Sequence, residues 1–210
     1  KKDLVDLYKV SERKITVVYE GTNSNKKEKI KNKNDLYLLF IGRLEERKNV
    51  LGIIEVFEIL KEKYKIPHKL ILGGNQGYGC DSIKLKVENS KFKEEIIFKG
   101  FIKEEEKFEL LKKAEIFLFP SFYEGFGLPI LEAQSAGIPV VTSNVSSMPE
   151  IAGSSAILAD PNKPEEIAEV AFRLISDEKL KNDIIKRGFE NVGRFNWNKC
   201  AEEISKLFYV

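Results

Sequence analysis

The feature that most constrains the fold is an alternation, from Leu36 onward, of short apolar runs with segments of helical periodicity. The apolar runs have the length of buried strands and lie at residues 36–41, 69–72, 96–98, 116–119, 139–142 and 156–159. The helical segments between them lie at residues 50–64, 82–90, 104–114 and 129–136. Continuous apolar strands that alternate with helices indicate a parallel sheet covered on both faces. The predicted fold class is therefore α/β, with a doubly wound parallel sheet.

The two ends of the chain depart from this alternation. Residues 1–14 form a charged lead-in, and the β-branched run at 15–19 predicts a further strand. The polar tract at 23–35 could be a basic binding patch, but a solvated loop is the favoured interpretation. After Pro164 the strand signals stop. Helices are predicted there at residues 164–176, 177–192 and 196–208.

Composition argues against several classes of function. The 35 Lys and Arg residues nearly balance the 33 Asp and Glu residues, so a net charge of +2 gives no reason to expect a nucleic-acid partner. Cys80 and Cys200 lie far apart without CxxC spacing, which fits a reducing cytoplasm better than a disulfide framework or a structural zinc site. No apolar run approaches the roughly 18 to 20 residues of a membrane-spanning helix. A cytoplasmic protein is expected, and peripheral membrane contact stays open.

The segment after the first strand contains a cluster of cations. In open α/β sheets, ligands bind beyond the carboxyl ends of the strands. Gly42 follows the first strand, and Arg43, Arg47 and Lys48 come directly before a predicted helix. Cations at a helix start oppose its dipole, and an anionic ligand would relieve that conflict. They could equally be solvated surface charges, and neither interpretation is favoured by this segment alone.

Two other segments that follow strands give weaker signals. Residues 70–79, LILGGNQGYG, contain Gly74 and could let the backbone approach a nucleotide closely. They match neither GxGxxG nor a P-loop, so a glycine-rich turn is the favoured interpretation. The hydroxyl-rich residues 142–150 could line the same crevice or simply cap helices. Structural or packing roles are predicted for His68, Trp197, Phe208 and Tyr209.

The most informative segment is FPSFYEGFGLPILEAQSAG, residues 119–137. Pro129 suits the first turn of a helix and Gly137 its end, which predicts a helix of about eight residues with an anion-binding N-terminus. Glu124 precedes this helix, and Glu132 is placed in its first turn. Glu132 could merely complement the helix dipole, and Glu124 could be a surface residue. Beside an anion site, however, carboxylates suit the hydroxyls of a ligand, which predicts a nucleotide or nucleotide sugar.

Three motifs, in order and at matching spacing, resemble retaining glycosyltransferases of the GT-B fold, particularly family 4 (glycosyl transferases group 1). EGFGLPILE resembles their E-x7-E motif, GRLEERKN their phosphate-binding segment, and SNVSSMPEIAGSSAILADP its usual continuation. The resemblance implies that residues 21–195 are a Rossmann-like, donor-binding half of a GT-B fold, its C-terminal domain. Residues 1–20 would be the junction from a missing N-terminal, acceptor-binding domain. Residues 196–210 would be a helix that crosses back to that domain and leaves an apolar patch exposed.

The resemblance also assigns roles to individual positions. Arg43 and Lys48 match the cations that hold the donor diphosphate and stabilise it as it leaves. Glu124 matches the first motif glutamate, near the donor sugar, and Glu132 the second, which binds ribose hydroxyls. Residues 99–103 match the loop that contacts the base. Further substrate-binding positions are predicted at Gly42, Gly74, Ile102, Phe126, Gly127 and Leu128.

The predicted function is binding of a nucleotide-diphosphate sugar, UDP- or GDP-hexose, for transfer of the sugar with retention of configuration. Arg43, Lys48 and Glu124 are the predicted catalytic residues, and neither a metal nor another cofactor is expected. The isolated domain is expected to be inactive. One alternative is a non-catalytic module that binds a nucleotide or sugar phosphate to regulate a partner. Another is a GT-B epimerase with different acid and base residues.

Overall fold

The apolar runs of the alternation form one parallel sheet in the computed structural model, which describes residues 1–22 and 36–208. The described strands are β1 (Tyr37–Ile41), β2 (Lys69–Gly73), β3 (Ile96–Gly100), β4 (Ile116–Phe119), β5 (Val140–Ser143) and β6 (Ile157–Ala159). Their order in the sheet is β3-β2-β1-β4-β5-β6, and every neighbouring pair is parallel. The predicted Rossmann-like, doubly wound sheet is confirmed.

Helices form a layer on each face of this sheet. The described α-helices are α1 (Lys2–Asp6), α2 (Val50–Tyr64), α3 (Cys80–Glu88), α4 (Glu104–Lys113), α5 (Leu128–Ser135), α6 (Met148–Ala152), α7 (Pro164–Ser176), α8 (Glu178–Val192) and α9 (Trp197–Lys206). Short 3-10 helices span Glu12–Lys14, Glu46–Lys48 and Lys93–Glu95. Helix α2 packs against α3 and α7, whereas α5 packs against α4, α6 and α8. Within the described ranges, no helix has the length and apolar composition to cross a bilayer.

The centre of the sheet explains where a ligand can bind. Consecutive residues of β1, such as Leu39 and Phe40, are fully buried, because a parallel strand covered on both faces has no solvent side. The ring of Phe40 stacks on that of Phe119 of β4 at a centroid distance of 6.2 Å. From β1 the chain continues to β2 and β3 on one side, and from β4 to β5 and β6 on the other. The switch point of the sheet therefore lies between the carboxyl ends of β1 and β4.

The chain divides into two compact units, Ser24–Gly193 and Lys1–Asn23 together with Arg194–Val210. The first unit contains the sheet, and the second contains α1 and α9. Within the second unit, Trp197 packs so closely on Gly21 that a Cβ there would lie 2.3 Å from the Trp197 backbone nitrogen. Phe208 is 80% exposed, so the packing role predicted for it is wrong in this structure. Tyr209 lies outside the described residues.

Three sequence predictions differ from the structure or cannot be compared with it. The predicted strand at 15–19 is wrong, because these residues pair with no strand among those described, and β-branched residues favour a strand only where a neighbour packs against it. Helix α6 was not predicted, since five residues in a hydroxyl-rich segment show little periodicity. The polar tract at 23–35 lies outside the described residues. His68 is buried directly before β2, which agrees with the structural role predicted for it.

A buried ion pair connects α8 to the start of β4, and its loss should be costly. Lys181 Nζ lies 2.7 Å from Glu115 Oε1, and both side chains are only 8% exposed. Burial opposes the charge of Lys181, but hydrogen bonds to Glu115 and Glu178 outweigh it and raise the pKa of the ammonium. Lys181→Met is expected to lower the free energy of unfolding by about 3 kcal/mol, because the Glu115 carboxylate stays buried without this ammonium. Urea denaturation at neutral pH would measure the loss.

The matched control is Lys179→Met on the same helix, where the side chain is exposed. Because the pKa of Lys181 is raised, its contribution is fully present below the unfolded pKa and is lost as pH rises through the folded pKa. The difference between wild type and Lys181→Met should therefore persist at neutral pH and shrink as the pH becomes strongly alkaline. Equal stability of the two variants at neutral pH would contradict the prediction.

Candidate functional site

The switch point brings together two of the predicted catalytic residues, Lys48 and Glu124. Lys48 belongs to the 3-10 helix after β1, and Glu124 to the loop after β4. The Lys48 ammonium lies 2.5 Å from Glu124 Oε1 and 5.1 Å from the centroid of the Phe119 ring. Their side chains are 11% and 8% exposed, so the pair is largely shielded from solvent. A cation and a carboxylate thus meet where an open α/β sheet binds its ligands.

Arg47 belongs to the same cluster, although the sequence analysis only counted it among the three cations and assigned it no role. Its Nη1 donates to Glu124 Oε2 at 3.1 Å and to the Tyr123 carbonyl at 2.6 Å, while Nη2 donates to Glu45 at 2.7 Å. Burial alone would lower the pKa of Arg47, but its bonds to Glu124 and Glu45 raise it. Each Glu124 oxygen therefore faces a different cation. The cation run was visible in the sequence, but its partner 77 residues away was not.

The loop after β5 holds the backbone of the Glu124 loop in place. The Ser146 hydroxyl donates to the Glu124 carbonyl at 2.8 Å and accepts from the Glu124 N–H at 3.2 Å. Ser147 Oγ donates to the Phe126 carbonyl at 2.7 Å. From the β1 side, the Asn49 amide donates to the Pro120 carbonyl at 3.1 Å. The hydroxyl-rich segment thus supports the site through its backbone, a role that its sequence only weakly indicated.

Arg43 lies at the end of β1 but does not contact the Lys48–Glu124 pair. Its side chain is exposed, and within the described part of the chain it makes no ion pair or side-chain hydrogen bond. Its aliphatic stem lies over Gly77, where a Cβ would be only 2.7 Å from Arg43 Cγ. The guanidinium is therefore accessible to an anion at this edge of the sheet.

Backbone segments that follow β1, β2 and β3 touch one another, which explains three predicted positions. Gly74 has φ +135°, and a Cβ on it would lie 1.9 Å from the Gly42 carbonyl oxygen. Its N–H donates to the Gly100 carbonyl at 2.7 Å. Ile102 packs on Gly73, the last residue of β2, so closely that a Cβ on Gly73 would lie 2.1 Å from Ile102 Cδ1. The structure brings Gly42, Gly74 and Ile102 into one region, and contact with a ligand stays a prediction.

The N-terminus of α5 is open, as expected for an anion site. Gly127 precedes the helix with φ +113°, a conformation that side chains rarely adopt, and no side chain among the described residues caps it. Phe126 is half-buried beside it, and Leu128 is the first helical residue. The helix has eight residues and ends before Gly137, as predicted. Pro129 has no N–H, and the Ile130 N–H donates to the Gly127 carbonyl at 2.9 Å. Of the first three helical residues, Leu128 therefore has the N–H that can face a phosphate.

Glu132 is the fifth residue of α5, so its predicted place in the first turn is wrong. The helix begins at Leu128, and the first turn ends before Glu132. Its Oε1 instead accepts from Lys107 Nζ of α4 at 2.6 Å. Lys107 was not predicted, because nothing in the sequence connects it with a partner 25 residues away.

The loops and helix starts at this end of the sheet offer cations, a helix N–H group and two carboxylates, which suits a ligand with both phosphates and hydroxyls. A separate cavity of about 330 Å³ lies between α3 and the segments at the ends of β1, β2 and β3, and its lining includes Leu44, Gly74 and Phe98. Among residues 1–22 and 36–208, no group of three His, Cys, Asp or Glu side chains is arranged to hold a metal ion.

Comparison with known proteins places these features in context. The family model described as "Glycosyl transferases group 1" matches residues 22–191. O-antigen chain mannosyltransferase B of Escherichia coli is 36% identical over 167 residues, which cover 80% of this chain and 44% of that protein. The chain therefore spans less than half the length of this relative.

Two solved structures share the fold. Anabaena HepE, in complex with UDP and glucose, superposes with a TM-score of 0.80 at 19% identity. The match covers 92% of this chain and 56% of the HepE chain. The C-terminal domain of LpcC, a glycosyl transferase group 1 family protein of Francisella tularensis, superposes with a TM-score of 0.69 at 24% identity. That match covers 83% of this chain and 97% of the LpcC domain.

Proposed function

The chain belongs to the family of glycosyl transferases group 1, and we propose that it binds the nucleotide-diphosphate sugar donor of a hexosyltransferase that retains configuration. The observation that supports this most directly is the contact of Lys48 with Glu124 at the switch point. It places a cation suited to phosphate beside a carboxylate suited to sugar hydroxyls. The named ligands of HepE and the similarity to a mannosyltransferase favour UDP-hexose or GDP-hexose.

In this proposal, the cluster stabilises the leaving diphosphate without a metal or another cofactor. Negative charge develops on the diphosphate as the bond to the sugar breaks, and preorganised donors aimed at it lower the barrier. Arg43, Lys48 and the N-terminus of α5 are those donors. The ligand competes with Glu124 for the Lys48 ammonium, while Arg47 remains bound to the carboxylate and balances its charge. Glu124 then positions the donor sugar.

The remaining contacts follow from the positions of the loops. Glu132 accepts hydrogen bonds from the ribose hydroxyls, and the backbone from Phe126 to Leu128 meets the sugar and distal phosphate. Ile102 lies in the loop that contacts the base. Gly42 and Gly74 allow the segments after β1 and β2 to approach the ligand together.

The whole protein is proposed to be a cytoplasmic enzyme in which a second, N-terminal domain binds the acceptor. The LpcC domain that this chain resembles is a C-terminal domain, and the chain spans 44% of the mannosyltransferase. Described residues of the second compact unit expose Trp197, Ile204 and Leu207 of its C-terminal segment, which suits contact with a further domain. Sugar transfer is expected only from the two-domain protein. An assay with and without lipid vesicles tests its peripheral membrane association.

A thermal-shift panel tests donor binding in this chain. UDP, GDP and ADP, with their hexose derivatives, are each titrated, and at 100 times its dissociation constant the true ligand should stabilise the chain by about 2.7 kcal/mol. That corresponds to a rise in Tm of roughly 5 to 10 °C for a domain of this size. Arg43→Ala combined with Lys48→Ala is expected to abolish the shift, because the diphosphate loses both cations.

The matched control is Arg173→Ala with Lys179→Ala, which removes one exposed arginine and one exposed lysine from α7 and α8. It should keep the full shift. If no nucleotide stabilises the wild-type chain, the proposed function is wrong. Binding without transfer by the two-domain protein would instead favour a non-catalytic, regulatory module.

A further inference from the structure

Helices α4 and α5 are joined by an ion pair that the proposed contacts do not yet explain. Lys107 Nζ lies 2.6 Å from Glu132 Oε1 and 2.9 Å from Glu104 Oε2. The Lys107 side chain is 17% exposed, whereas Glu132 is 30% and Glu104 79% exposed. The lysine is thus mostly shielded and directed at one carboxylate that is partly open and another that lies in solvent.

We propose that Lys107 is a positioning residue that holds Glu132 ready to accept hydrogen bonds from the two ribose hydroxyls of the donor. This role rests on the proposed function and adds to it the pair of residues that selects a ribonucleotide over a nucleotide without ribose hydroxyls. Oε1 of Glu132 accepts from Lys107, and Oε2 makes no hydrogen bond or ion pair with a side chain within the described part of the chain. A carboxylate oriented in this way presents acceptor lone pairs to a vicinal diol.

The ion pair matters because Glu132 has several rotatable bonds and stands near a site for phosphates. Without a partner, its carboxylate would adopt several rotamers, and binding a diol would have to order it first. A carboxylate that is already held in one rotamer avoids that cost. A neighbouring group that holds the carboxylate can thus strengthen diol binding without contacting the ligand. Lys107 also balances the charge of Glu132, which would otherwise repel the donor diphosphate.

Lys107 keeps its charge in this position. Burial acts against the ammonium, but hydrogen bonds to Glu132 and then to Glu104 outweigh that effect and raise the pKa of Lys107. Glu104 contributes less to positioning, since an exposed carboxylate at the start of α4 remains solvated. Glu104→Gln should therefore leave ribose recognition nearly unchanged.

Ligands with and without ribose hydroxyls separate the two effects of Lys107, which are charge balance and the positioning of Glu132. Charge balance acts on every nucleoside diphosphate, because each has the same phosphates. Positioning of Glu132 acts only on ligands that have the ribose hydroxyls. The ratio of affinities for a ribonucleotide and its 2′,3′-dideoxy analogue therefore reports positioning alone.

The test uses calorimetry with UDP or GDP, whichever stabilises the wild-type chain, and the corresponding 2′,3′-dideoxy nucleotide. The wild type is expected to prefer the ribonucleotide by at least about tenfold, because each hydrogen bond to a charged group can contribute that much or more. Lys107→Met and Glu132→Gln should each reduce that preference to about twofold, and their combination should reduce it no further. Lys107→Arg should keep it. Lys113→Met, an exposed change on the same helix, is the matched control.

The outcomes distinguish the inference from the proposed function. A wild type that binds neither nucleotide overturns both. A wild type that prefers the ribonucleotide, with a Lys107→Met variant that keeps the same ratio, overturns only the positioning role. Equal weakening of both nucleotides by Lys107→Met also overturns it, since that result is charge balance alone.

Discussion

Glu124→Gln is expected to strengthen binding of the nucleoside diphosphate while it removes most of the sugar transfer. The Glu124 carboxylate holds the Lys48 ammonium at 2.5 Å, so in the proposed binding mode the diphosphate must displace it. A neutral amide competes less well for the ammonium, and affinity for UDP or GDP should rise about three- to tenfold. Transfer by the two-domain enzyme should fall about 10²- to 10³-fold, because Glu124 is the residue proposed to hold the donor sugar for reaction.

Calorimetry on this chain and kcat/KM of the two-domain enzyme measure the two effects. The matched control is Glu45→Gln, which removes a carboxylate bound to Arg47 but leaves the Lys48–Glu124 pair intact. It should change neither quantity by more than about twofold. Weaker nucleotide binding by Glu124→Gln would contradict the competition between Glu124 and the diphosphate. Undiminished transfer would contradict the proposed role of Glu124 in positioning the donor sugar.

Gly74→Ala is expected to destabilise the chain by about 3 kcal/mol or more and to abolish the nucleotide-induced rise in Tm. The new Cβ would lie 1.9 Å from the Gly42 carbonyl oxygen, and the alanine would have to adopt φ +135°. Both obstacles are backbone, so no side chain can rotate away. The segments after β1 and β2 must therefore separate, which displaces the neighbouring Arg43.

Gly125→Ala is the matched control, because this glycine lies beside Glu124 and a Cβ on it would meet nothing within 4 Å. It should alter the free energy of unfolding by less than about 0.5 kcal/mol. Denaturant unfolding and the thermal-shift panel measure both variants. Similar stabilities of the two would show that the contact between Gly74 and Gly42 relaxes without cost.

Local sequence patterns were sufficient to predict the main helices and strands. Helix α2 spans Val50–Tyr64 and α7 spans Pro164–Ser176, both with the predicted bounds, because a periodic apolar face and its end signals lie within the helix itself. Strand β4 likewise spans the predicted residues. The run at 15–19 failed because its strand propensity needs a neighbour that no local pattern supplies.

The sequence by itself determined the α/β class, the helix after the Glu124 loop and, through its motifs, the resemblance that the family match supports. Only the tertiary structure decided how the charges are paired. The order of the strands sets Lys48 and Arg47 on Glu124, and the packing of α4 on α5 sets Lys107 on Glu132. These partners are 76, 77 and 25 residues apart, and periodicity reports only which face of an element is apolar, not which distant side chain it meets.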